Sequence, residues 1–140
     1  MTYFIDSNIF LRVLIKEKNR IFKDCYQFLN LVRLNKIKAI TSSLVLVEID
    51  WVLEGFYNFG KMEAIKGLKS ILKLRGLRII DKINISLAIE IYEKCNIKFI
   101  DALIASNPQI YQKKILVVSY DKDFDKIGMI RKEPKELIKK

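Results

Sequence analysis

The chain has 140 residues, 51% hydrophobic and 30% charged, a balance that supports a folded domain with its own core and excludes a disordered chain. It has no histidine and only two cysteines, Cys25 and Cys95, which removes the serine-type triad, nearly every zinc or copper site and a disulfide scaffold. The net charge of +10, from 26 basic and 16 acidic side chains, favours an anionic partner, nucleic acid above all, although lysine spread widely over a surface gives the same number.

In chain order, "TYFID" predicts a buried strand, Tyr3 to Ile5, that stops at Asp6. "SNIFLRVLI" and "RIFKDCYQFLNLVRLNK" then carry apolar residues at helical spacing, with Phe22, Cys25, Tyr26, Leu29 and Val32 along the second stripe. "IKAIT" predicts a short strand, and Ser42 or Ser43 an N-cap for "LVLVEIDWVLEGF", which Gly55 or Gly60 ends. "KMEAIKGLKSILKLR" predicts an amphipathic helix with Ile65, Leu68 and Leu72 as its stripe. Beyond Gly76, "LRIID" predicts a strand, with Asp81 capping the helix in "KINISLAIEIYEKC". "FIDALIASNPQIYQKK" begins as a helix that Pro108 kinks or restarts, and "KILVVSYD" has the unbroken apolar run of a strand buried on both faces.

Strands alternating with helices predict an α/β sandwich on a mainly parallel sheet. With no linker or repeat, residues 1–140 are expected to form a single domain whose basic tail, "RKEPKELIKK", frays from about residue 133. Both cysteines fall in helical apolar patterns and are expected to be buried, reduced thiols. The most apolar segment still carries Glu48, Asp50 and Glu54, so no membrane span is expected. Asp6 interrupts the apolar start and no basic stretch precedes it, so no signal peptide is expected either, and the protein is expected to be cytoplasmic.

Two predicted strands run into carboxylates: Ile5 into Asp6, and "ILVVSY" into Asp121, with Asp123 two residues on. Ligands of open α/β sheets lie beyond the carboxyl ends of the strands, so both would face one crevice if their strands are neighbours. Turn and cap chemistry explains either Asp taken singly just as well. Glu48 is the stronger signal. It shares a helix face with Leu44, Val47 and Trp51, a face expected to meet the core, whereas Asp50, about 200° round the helix, is expected to face solvent. A core-facing carboxylate costs several kcal/mol unless it is paired, as in a buried Glu–Arg bridge, or holds a cation. Asp101 falls in a first helical turn, where the macrodipole favours it, but its face is shared with Ile104 and Ala105 and should turn toward the sheet. Converging carboxylates repel unless a cation sits among them, and an all-oxygen set suits Mg²⁺ or Mn²⁺ and metal-assisted phosphodiester hydrolysis.

The succession "FIDSN", "SSLVLVEIDWVLE", "FIDALIA" and "VVSYDKDF" resembles the PIN-domain ribonucleases, and among them the VapC-type toxins of toxin–antitoxin pairs. The likeness runs from Tyr3 to about Ile127; each island is weak alone, and four in this order are specific. It implies a compact three-layer α/β/α sandwich, RNA as substrate, Mg²⁺ or Mn²⁺ as cofactor, a homodimer, and a protein antitoxin as partner. It further implies that Asp6, Glu48, Asp101 and Asp121 are the catalytic, metal-holding acids, with Ser7 and Asn8 supporting the first of them. Asp121 stands where the family has Asp or Asn after a Thr-x pair. Here that pair is Ser119-Tyr120, which keeps the hydroxyl and leaves either Asp121 or Asp123 to face the metal. Arg12, one turn beyond Asn8, is a candidate phosphate contact, a solvated arginine being the commoner outcome.

The expected function is therefore a metal-dependent endoribonuclease, the toxin of a type II pair, leaving 5′-phosphate and 3′-hydroxyl ends as the family does. One rival is a non-catalytic PIN-like component of an RNA-processing assembly. The charge suits it equally, but a binder has no need of buried carboxylates facing RNA. The other is phosphoryl transfer with Asp6 as nucleophile, for which "DSN" lacks a second carboxylate two residues on.

Overall fold

The structure, a computed structural model, describes residues 1–138. Its elements are β1 (Thr2–Ile5), α1 (Ser7–Ile15), α2 (Arg20–Arg33), β2 (Lys38–Thr41), α3 (Ser43–Gly55), α4 (Lys61–Leu72), β3 (Leu77–Ile79), α5 (Ile85–Lys94), α6 (Phe99–Ala105), α7 (Pro108–Tyr111), β4 (Leu116–Val118), α8 (Asp123–Ile127), β5 (Arg131–Lys132) and α9 (Pro134–Leu137). The strands form one sheet in the order β3-β2-β1-β4-β5, and every pairing is parallel. This is the α/β sandwich expected, with the sheet parallel throughout rather than mainly so.

β1 is central because its residues are apolar on both faces: Phe4 and Ile5 are buried, as are Val117 and Val118 on the neighbouring β4. Tyr3 pairs with Ala39 on one side and Leu116 on the other. From β1 the chain steps outward through β2 to β3, then returns past β1 to β4 and β5. The direction of winding thus reverses between β1 and β4, and the crevice at their carboxyl ends is where ligands of such sheets bind. Helix contacts fall into two sets, α1 with α2 and α3, α3 with α4 and α2 with α9, against α5 with α6 and α6 with α7 and α8.

Four local expectations are corrected. On α4 the buried residues are Ala64, Gly67 and Ile71, whereas Leu72 is 65% exposed. The small residues won the interface because they allow close approach: a Cβ on Gly67 would already touch Leu14 and Leu53. On α3 the core face is Val45, Ile49 and Leu53, while Val47 and Trp51 are 64% and 78% exposed. That helix is apolar nearly all round, so its periodicity defines no unique face. Asp81 does not cap α5, whose cap is Asn84; it reaches back to α3 and accepts from the Ser42 and Ser43 hydroxyls and the Ser43 amide. Cys95 is half-buried rather than buried, and both thiols are free.

Pro108 restarts the chain as α7, with Asn107 as cap. Of the tail expected to fray, Pro134–Leu137 forms α9 against α2, and Lys139 and Lys140 lie outside the described residues. Among the described residues no helix is long and apolar enough to cross a membrane.

Candidate active site

Asp6 follows the last residue of β1, and its backbone N–H donates to the Val118 carbonyl, so strand pairing sets its position against β4. It also caps α1: Oδ1 accepts from the Ser7 amide at 2.8 Å. Asp6 is thus a helix cap that also stands at the end of β1, beside β4. Oδ2 accepts from the Ser119 hydroxyl at 2.6 Å and from Asn8 Nδ2 at 3.2 Å.

Ser119, wholly buried just past β4, is the hub of the site. Its hydroxyl donates to Asp6 and accepts from Asn8 Nδ2 (3.0 Å) and the Asp121 amide (2.9 Å). The Tyr120 amide donates to Asn8 Oδ1 at 3.2 Å, so "SN" after β1 and "SYD" after β4 are stitched together. A threonine would serve the same three bonds, which explains why a serine is a mild departure here.

Asp101 enters from the first turn of α6. It is 2% exposed, and its Oδ2 is a buried side-chain atom with no hydrogen-bond partner among the described residues. Carboxylate oxygens of Asp6, Asp101 and Asp121 all lie within 4.8 Å of one another. Burial pushes the Asp101 carboxyl up to about 8, helped by the charges of Asp6 and Asp121 and opposed by Lys98. Burial likewise raises Asp6 to about 6; its bonds from Ser119 and Ser7 hold it down, while Glu48 and Asp121 add to the rise. Burial acts upward on Asp121 too, but the Asp123 amide and the Lys98 ammonium more than offset it and leave that carboxyl below its usual range. Such a set keeps a proton that a cation of sufficient charge would displace.

Glu48 stands at the edge of this group rather than in it. It is half-buried, and its Oε1 accepts from the Ser7 hydroxyl at 2.8 Å, one residue from Asp6. The core-facing argument for it therefore does not hold, because the face it shares with Val47 and Trp51 is exposed; its place comes from Ser7. Asp50 is half-buried rather than fully solvated. Asp123 turns away, giving its amide to Asp121 Oδ1 and its carboxylate to Lys126 at 3.3 Å. Arg12 is partly exposed, with Glu17 at 3.8 Å, and lies outside the acid cluster.

Two residues went unread in the sequence. Lys98 Nζ lies 3.2 Å from Asp121 Oδ2; partial burial works against its charge, but Asp101, Asp121 and Glu48 raise its affinity for the proton. Its signal was available: a lysine three residues before a first-turn Asp at a helix N-terminus, where the dipole disfavours cations. Arg131 on β5 donates to the Ser119 carbonyl at 3.0 Å while pairing with Asp125 and Glu133. Nothing in its neighbourhood pattern announced that role. Two concavities, of about 210 and 560 Å³, lie between α1, α2 and α4 and include none of the clustered acids.

All oxygen, no nitrogen or sulfur, is the donor set of a hard divalent cation. Opposite oxygens around Mg²⁺ at ~2.1 Å are ~4.2 Å apart, so three carboxylates within 4.8 Å form a group of single-ion size. The orphaned Asp101 oxygen fits the same explanation.

The PIN domain family profile matches residues 3–129, and the chain belongs to that family, whose members are in general nucleases that use divalent metals. Among solved structures, the chain is similar to the VapC20 toxin of Mycobacterium tuberculosis, which cleaves the sarcin-ricin loop. The TM-score is 0.64 and the identity 17%, over 93% of this chain and 97% of that one. It is also similar to PAE2754 from Pyrobaculum aerophilum, with a TM-score of 0.69 and 11% identity over 99% of this chain and 93% of that one. At such identities the likeness establishes the fold. No curated protein matches the chain.

Proposed function

We propose that the protein is a Mg²⁺- or Mn²⁺-dependent endoribonuclease. The observation that carries this is Asp101 Oδ2, buried with no hydrogen-bond partner among the described residues, in a group of three converging carboxylates at the reversal point of the sheet. Asp6, Asp101 and Asp121 would hold the cation, with Glu48 adding negative charge through Ser7. The bound cation would supply Lewis-acid stabilisation of the phosphate and a nucleophilic water at neutral pH. The chain's own part is positional. Ser119 and Asn8 lock Asp6 and the Asp121 amide into one frame, so these carboxylates need little reorganisation when the cation arrives. Basic side chains outside the cup, within a net charge of +10, would hold the RNA backbone.

A nucleophilic role for Asp6 is disfavoured, since "DSN" places no second carboxylate two residues on to serve as acid and base. A non-catalytic RNA-binding role leaves the unpaired Asp101 oxygen without purpose. The likeness to a VapC toxin supports the finer reading of a cytoplasmic type II toxin, homodimeric and restrained by a protein antitoxin.

Cleavage of RNA by the purified protein with Mn²⁺, compared with Asp6→Asn and Asp101→Asn, tests the enzyme. Each substitution is expected to lower kcat/KM at least about a hundredfold. Variants as active as the parent would rule the site out. Growth arrest on expression, relieved by a co-expressed neighbouring antitoxin gene, tests the toxin reading; harmless expression of an active enzyme would oppose it.

A further inference from the structure

Lys98 sits at the N-cap of α6, a position where Ser, Asp or Asn is favoured and the helix dipole opposes a cation. It makes no side-chain capping bond there, so helix formation does not account for a lysine. Its ammonium instead lies 3.2 Å from Asp121 Oδ2, on the rim of the three-carboxylate cup, and the side chain is 59% exposed. An ion pair this open to water contributes little to stability and exchanges readily. Asp121 is also a carboxylate that a divalent ion in the cup would need. Two cations at one carboxylate repel each other, and the doubly charged ion has the stronger claim.

We propose that Lys98 is a displaceable counter-ion of this site. It holds Asp121 while the cup is without metal, yields that carboxylate to the divalent cation, and then contacts a phosphate of the bound RNA. The inference rests on the metal-dependent nuclease reading. Its chemistry is ordinary for lysine, a flexible point charge that binds phosphate without demanding a fixed geometry. The exposed stem leaves the ammonium free to swing from the rim toward solvent, where the polyanion arrives.

Calorimetric titration with Mn²⁺ alone, on the wild type, Lys98→Met and Lys98→Arg, gives a readout independent of turnover. Removing the resident charge is expected to tighten Mn²⁺ binding about five- to tenfold, whereas the arginine variant stays near the wild type. In cleavage assays at saturating Mn²⁺, Lys98→Met is expected to raise KM for a single-stranded oligoribonucleotide about fivefold. The slope of log(1/KM) against log salt should shrink by about 0.7, one phosphate contact fewer. The methionine variant thus binds its metal better and its RNA worse, a pairing that a merely structural lysine would not produce. Wild-type protein that gives no Mn²⁺ heat overturns the metal reading and this inference with it. Wild-type binding that Lys98→Met leaves unchanged or weakens overturns the inference alone, and tighter metal binding with an unchanged KM overturns its RNA half.

Discussion

Two groups of carboxylates lie on either side of Ser119, and the chain treats them in opposite ways. Asp125 and Glu133 flank Arg131, whose guanidinium takes Asp125 through two nitrogens (3.0 and 3.2 Å), Glu133 at 3.2 Å and the Ser119 carbonyl at 3.0 Å. Every charge there has a partner inside the fold. Asp6, Asp101 and Asp121 converge within 4.8 Å, with the half-exposed Lys98 ammonium beside them and an Asp101 oxygen that has no hydrogen-bond partner among the described residues. The first group holds β5 and α8 to the end of β4. The second costs the folded state: burial raises two of its carboxyls, and a first-turn position on α6 favours Asp101 without accounting for its burial beside two other carboxylates. On the proposed function, a divalent cation would supply the charge that Lys98 only partly offsets.

Asp101→Asn should break the comparison most sharply if it is wrong. The substitution keeps the shape and removes an acid that the metal-free fold must hold protonated at neutral pH, so the metal-free protein should melt several degrees higher even as cleavage falls at least about a hundredfold. Thermal melts in EDTA decide it: a lower melting temperature would place Asp101 with the stabilising acids. Arg131→Met should act in the opposite direction. It leaves two carboxylates and a carbonyl without their donor, at a cost of about 2 kcal/mol or roughly 6 °C in Tm. An unchanged melt would show that the Arg131 network does not hold the fold.

The pH dependence comes next. Asp6 and Asp101 are raised from 3.8 to about 6 and about 8, so the fold favours their neutral forms. The stability this contributes is complete below about pH 4 and is lost as pH rises through those two values. Asp121, lowered instead, contributes stability that fades only as pH falls below its usual range, outside that window. In EDTA, Tm should therefore decline from about pH 4 to about pH 8 and level off above that, and saturating Mn²⁺ should flatten the decline because it binds the deprotonated folded state. A flat profile in EDTA would mean that the cup is better solvated than its burial implies. The smallest effect belongs to Asp123→Asn, which should change cleavage by no more than about twofold and stability by less than about 1 kcal/mol. A loss matching that of Asp101→Asn would bring Asp123 into the cup in place of Asp121.

The strands were legible because unbroken apolar runs such as "ILVV" have few other uses, and Asp6 and Asp121 were legible because those runs end in them. Glu48 was singled out for a reason that failed. The outer face of α3 also carries large apolar residues, Val47 and Trp51, and pattern alone could not say which side was covered. Leu72 was misjudged because hydrophobicity was taken for burial where closeness of approach had chosen glycine and alanine. Lys98 and Arg131 were missed because each acts on a residue outside its own helix or strand, distant along the chain though adjacent in space: Lys98 on Asp121, Arg131 on the Ser119 carbonyl.

Residue types and their local order were enough to establish an α/β chain with acids at strand ends and no nitrogen or sulfur ligand chemistry, because periodicity and composition are properties of neighbours along the chain. Which acids meet, which of them keeps an unpaired oxygen and which cation stands at the rim depend on strand order and helix rotation. Those are settled by packing between segments as far apart as Asp6 and Ser119, and only the folded chain contains them.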